Sequence, residues 1–136
     1  MPTQTPYGLS ITLDRPFAET VDATRAALAA EGFGVLMEAD LQATFQKKLN
    51  LDTEPHVILG ACAPSYARKA LDVDPYLGLL LPCNVIVRRD VAANRTVVAS
   101  VDPLVALSIA QQPALMPVAE EIRAKLVRAL DALERG

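Results

Sequence analysis

The chain has 136 residues, enough for one domain that buries roughly two-thirds of its unfolded surface, and 51% of them are hydrophobic, which excludes a disordered chain. A formal net charge of −3 argues against binding that depends on neutralising nucleic-acid phosphates. No run of about 18 apolar residues offers a membrane helix, and Met1-Pro2-Thr3-Gln4 has neither the basic nor the apolar part of an export signal. The expectation is a cytoplasmic protein without membrane or nucleic-acid partners, in which the two cysteines stay reduced. Aromatic residues make up only 4% and Trp is absent, so the core must be built from small aliphatic side chains that favour close packing over large ring-lined pockets.

The first strand is predicted over Tyr7 to Leu13, where Leu9, Ile11 and Leu13 share one face. A helix follows from Pro16, which suits the first helical position, with Asp14 and Glu19 complementing the N-terminal dipole. Its inward face is Phe17, Val21, Thr24 and Leu28, and Gly32 stops it. Residues 33–38 predict a short strand, Asp40 an N-cap, and Leu41, Phe45 and Leu49 a helix over 41–49. His56 to Cys62, bounded by Pro55 and Pro64, reads as a buried strand. A short helix over 65–73 would turn Tyr66, Ala70 and Val73 inward and end before Pro75.

Two β-branched runs, 83–89 and 96–101, are joined by a hairpin over 90–94. Asp102 then caps a short helix opened by Pro103. The last helix spans 117–133 with a ridge of Val118, Ile122, Leu126, Leu130 and Leu133. Strands grouped in the middle and a long helix at the end indicate an α+β fold, an antiparallel sheet with helices on one face. With no linker or repeat, residues 1–136 form a single domain.

Gly60-Ala61-Cys62 and Gly78-Leu79-Leu80-Leu81-Pro82-Cys83-Asn84-Val85 are the most distinctive stretches. Supporting ones are Gly32-Phe33-Gly34-Val35, Lys48-Leu49 and Asp102-Pro103. Through these, over roughly residues 10–134, the chain resembles the prokaryotic domain-of-unknown-function 302 family. The resemblance implies a β-α-β(4)-α fold, a curved sheet gripping a long helix, and a homodimer. It implies no activity. The chain departs from the family pattern at two positions: Ala63 stands where the family often has Asn, and His56 replaces a typical Tyr.

Four residues are candidates for a site: Lys48, Cys62, Cys83 and Asn84. His56 and Cys62 share a strand face, but six residues at about 3.3 Å separate them by roughly 20 Å, too far for one metal ion. Cys62 and Cys83 become cross-strand or diagonal neighbours if their strands pair antiparallel. They are then either packed thiols of the core or a redox, metal- or haem-contacting pair. At ~100° per residue Lys48 lies ~20° from Leu41, at the edge of the apolar stripe. Its ammonium either snorkels to water or binds an anion.

Asn84 points opposite to Cys83 in an apolar strand, where it either bonds a bulge made by Pro82 or lines a ligand cavity. No nucleophile-base-orienter set and no phosphate or dinucleotide motif is present, and nothing names a cofactor. The expected function is therefore a homodimeric protein without classical catalytic machinery. It would bind a small molecule or anion between the sheet and the terminal helix. The alternatives are a thiol-based redox or metal- or haem-handling protein using Cys62 and Cys83, and a pure interaction module.

Overall fold

The computed structural model describes all 136 residues. Strands β1 (Thr3–Gln4), β2 (Gly8–Leu13), β3 (Gly34–Asp40), β4 (His56–Cys62), β5 (Cys83–Asp90) and β6 (Arg95–Val101) form one sheet. Their order is β1-β2-β6-β5-β4-β3, and each neighbouring pair is antiparallel. The helices are α1 (Phe17–Ala30), α2 (Leu41–Leu49), α3 (Pro64–Val73), α4 (Pro103–Ser108) and α5 (Met116–Arg135), with 3₁₀ turns over 75–80 and 113–115.

Period-two alternation decides which face of the sheet meets the helices. Leu9, Ile11 and Leu13 of β2, Val57, Leu59 and Ala61 of β4, and Val85 and Val87 of β5 are all buried in one core. From α5 that core receives Ile122, Leu126, Ala129, Leu130 and Leu133, the predicted ridge with Val118 at its half-buried margin. Each fully buried Leu stabilises the fold by ~1.5–3 kcal/mol. In α1 the inward face carries Leu28 together with Thr20 and Thr24. The hydroxyls can be buried because each bonds the carbonyl one turn back, Thr20 to Pro16 at 2.8 Å and Thr24 to Thr20 at 2.7 Å. A smaller cluster of Leu77, Leu107, Leu115, Ala70 and Ala119 joins α3, α4 and the start of α5.

Three features depart from the expected outline. A sixth strand, β1, pairs Thr3 with Ser10 and Gln4 with Leu9. Val73, expected inward, is exposed in the last turn of α3. Helix α2 forms over the predicted residues, capped by Asp40, whose Oδ1 accepts the Ala43 N–H at 3.0 Å, yet none of its side chains is fully buried, Leu41 and Phe45 being half-buried.

All the other helices lie on one side, so the opposite face of the sheet is left without a helix layer. On that outer face Ile58 lies opposite Ile86, Ile86 opposite Ala99, and Ala99 opposite Ser10. Arg88 sits between His56 and Val97 in the adjoining row.

Candidate functional site

Cys83 pairs in register with Ala61, so Cys62 is offset from it by one residue and, by the alternation of the strand, starts from the opposite face of the sheet: the two thiols are close along the sheet but are neither a cross-strand nor a diagonal pair. Cys83 is buried and Cys62 half-buried, and both border a small void with Ala61, Ala67, Ala70 and Ile122. The void measures about 20 Å³, scarcely the space of one water, and its walls are apolar. The ligand expected between sheet and terminal helix therefore has no room there. Alanines at 61, 63, 67 and 70 line this void, where α3 packs on α5 and α5 on the sheet.

Burial pushes the Cys62 thiol above its ordinary range. Burial, with a smaller contribution from neighbouring Cys62, pushes Cys83 up to about 11. At neutral pH such a thiol is ~0.01% thiolate, and the thiolate is the reactive form. In the folded protein Cys83 should react with a thiol reagent at pH 8 at least ~100-fold more slowly than a free cysteine, and reach the free rate only on denaturation. Mass-spectrometric labelling with iodoacetamide measures this, and rapid labelling of both native thiols would favour the redox alternative.

The four anticipated residues do not form one cluster. Lys48 is exposed on α2, away from the core. Asn84 is exposed on the outer face, so its amide needs no protein partner, and neither a bulge bond nor burial applies to it. His56 is at the other end of β4 from Cys62. Burial first, and then the facing Arg88, lower its pKa, with Glu54 opposing. No group of three or more His, Cys, Asp or Glu side chains is placed to hold a metal ion, and no helix is long and apolar enough to cross a membrane.

The larger concavity is on the outer face, a groove of about 580 Å³ over β2, β5 and β6. Its floor is Ile86, Val97, Ala99 and Val101, and the segment Thr5-Pro6-Tyr7 forms one wall. That wall is fixed by backbone bonds, the Thr5 N–H donating to Gly8 at 2.8 Å and the Asp102 N–H to Tyr7 at 2.9 Å. Asn84 and Arg88 both line the groove from β5. Arg88 Nη1 donates to Glu54 Oε1 at 3.1 Å, and each side chain keeps about a third of its surface in water.

Sequence reasoning had not singled out Arg88 or the apolar floor. The available signal was that β5 and β6 are apolar on both faces, at Val85, Val87 and Val98 inward and Ile86, Val97 and Ala99 outward. A strand of that kind is covered on both sides, whereas a half-solvated one alternates.

A family model described as "Domain of unknown function DUF302" matches residues 9–133. Among solved structures, the chain is similar to that of an uncharacterized conserved DUF302 protein from Bacillus stearothermophilus, with a TM-score of 0.85 and 28% sequence identity. The likeness covers 93% of this chain and 98% of that one. Curated proteins include no match.

Proposed function

We infer a function from the premise that this chain belongs to the DUF302 family, whose description carries no activity. It is a homodimeric binding protein, without classical catalytic machinery, for a small amphipathic anion held in the groove on the outer sheet face. The observation that carries this reading is the groove itself. Its volume of about 580 Å³ is that of an ordinary small-molecule site, and an apolar floor with a few placed polar groups is the usual lining.

Asn84 and Arg88 are four residues apart on one strand, so they stand ~14 Å from each other along the groove. An apolar body of that length or less would lie on Ile86, Val97 and Ala99. A carboxylate would meet the Arg88 guanidinium, whose planar fork suits bidentate pairing, in competition with Glu54. In this reading Asn84 is the one anticipated residue that touches the ligand. Lys48, Cys62 and Cys83 lie outside the groove lining.

Thermal-shift titration with straight-chain carboxylates from hexanoate to dodecanoate tests the reading. A saturable rise in Tm is expected, corresponding to about 2.7 kcal/mol at a hundred times Kd, and Arg88→Gln should weaken it at least ~10-fold in affinity. No stabilisation by any member of the series, or equal stabilisation of Arg88→Gln, counts decisively against it.

A further inference from the structure

We propose that His56 takes up one proton as the groove binds its anion, so that this residue sets the affinity and makes it rise as the pH falls. The coupling rests on the groove reading above and concerns the polar end of the same site.

At that end three ionisable side chains come together. Arg88 on β5 and His56 on β4 are directly opposite each other. The alternation that sends Val57, Leu59 and Ala61 into the core turns His56 outward, and the burial of Val85 and Val87 turns Arg88 the same way. Cross-strand neighbours on one face have Cβ atoms ~4.5–5.5 Å apart. Glu54, two residues before His56, reaches over to Arg88, its Oε1 3.1 Å from Nη1. Pro55 between them is fixed against β5, because its carbonyl accepts the Arg89 N–H at 2.9 Å. The guanidinium is thus drawn to the β4 side, where a carboxylate that takes it or shares it stands beside the imidazole.

Few other charges surround His56. On the β3 side Asp40 stands opposite Val57, and its Oδ1 is taken by the Ala43 N–H. Lys47 and Lys48 are exposed in the last turn of α2, and Asp52 is exposed in the segment that follows. Burial first, then Arg88, hold the imidazole pKa below its ordinary value, and Glu54 works against both. At neutral pH the free protein therefore carries His56 mostly uncharged.

Arg88 and Glu54 neutralise one another until the anion arrives. A bound carboxylate adds one negative charge at the guanidinium, whether it displaces Glu54 or shares the fork with it. Arg88, Glu54 and the ligand then sum to a single negative charge, and a proton from solvent on His56 restores neutrality. Two unit charges ~5–6 Å apart at a half-exposed site attract strongly enough to shift an equilibrium ~10-fold, which is about one pKa unit. The apolar body of the ligand lies over Ile86, Val97 and Ala99, on the β6 side of Arg88, so it does not deepen the burial that keeps His56 neutral. With the higher pKa in the complex, binding is tightest at low pH, where His56 is charged in both states. It is weakest at high pH, where His56 is charged in neither. Arg88 stays charged throughout.

His56 is the single histidine of the chain, so its ring-proton resonances report its titration without ambiguity. Proton NMR of the free protein should give a pKa below the ordinary imidazole value. Saturation with the best-binding carboxylate of the hexanoate-to-dodecanoate series should raise it by about one unit. By calorimetry, Kd for that carboxylate should fall at least ~3-fold from pH 8 to pH 6, with a heat that depends on the buffer because a proton is taken up. His56→Gln should bind at every pH with the affinity that the wild type has at pH 8. Arg88→Gln should raise the pKa of His56 in the free protein. If His56→Gln does not fold, the NMR titration of the wild type decides.

A carboxylate that binds with the same Kd at both pH values, or leaves the His56 titration unmoved, overturns the proposal and keeps the groove. A pH dependence that survives in His56→Gln does the same. Failure of every carboxylate to bind at any pH removes the groove reading, and the coupling with it.

Discussion

Replacing Asp102 by Ala should lower the free energy of unfolding by about 3 kcal/mol. The side chain is 2% exposed and serves two partners. Its Oδ1 accepts the Leu104 N–H at 3.0 Å and so caps α4, while Oδ2 accepts Nε of Arg123 at 3.2 Å. Losing the cap costs ~1 kcal/mol. Breaking a buried ion pair from one side costs ~3–5 kcal/mol, but Arg123 keeps 28% of its surface in water and can recover part of its hydration, so about 2 kcal/mol is assigned to it.

Asp102→Asn retains the capping oxygen and loses the charge, and should cost about half as much. The Asp102 N–H survives both changes and continues to hold Tyr7, so the groove wall should stay in place. Urea denaturation with an unchanged m-value reads the difference. A loss below ~1 kcal/mol for the Ala variant would show that Arg123 contributes nothing there.

Gly60→Val should cost about as much, for a different reason. A Cβ at residue 60 would stand 2.8 Å from Cγ of Pro82 and 3.4 Å from Cβ of Met37. A ring carbon cannot swing aside as a long side chain does, so the strand or the Pro82 segment must move. Overpacking of this kind costs ~1–3 kcal/mol for a single methyl, and the two further methyls of Val put the effect at the upper end, about 3 kcal/mol. Gly34→Ala is the matched control. Its Cβ would find only the Cys62 carbonyl oxygen at 4.0 Å, an ordinary contact, and stability should stay within about 1 kcal/mol of wild type. Thermal unfolding of the two variants side by side measures both, and equal Tm values would mean that the Pro82 contact yields freely.

The elements were legible in the sequence because alternation and helical spacing are local. Helix α2 and strand β4 occupy the expected residues, and α5 extends its predicted span by only a residue or two at each end. Strand β1 was not legible, because two polar residues between Pro2 and Pro6 carry no pattern and pair only through β2. The site was harder. A helical stripe such as Leu41, Phe45 and Leu49 reads the same whether it is sunk in the core or laid at its margin, so Lys48 was judged against a core that α2 only borders. Likewise, strict alternation identified Asn84 as opposite to Cys83 without telling which side was open. Composition pointed the other way from the cavity it was asked to contain. A chain rich in alanine and poor in rings closes its layers, and the void of about 20 Å³ beside the cysteines is the result.

Helix α2 also divides the molecule energetically. Its ties to the rest are the Asp40 cap, a bond from Gln42 to the Thr53 carbonyl, and light contact with β4, so it can open while the core stays closed. Whatever covers its stripe therefore sets the order of that segment directly, and most of the chain's global stability is insensitive to it. Mutational drift along its surface would alter the order of that segment while leaving the fold's free energy nearly unchanged, so this helix can vary separately from the core that keeps the chain folded.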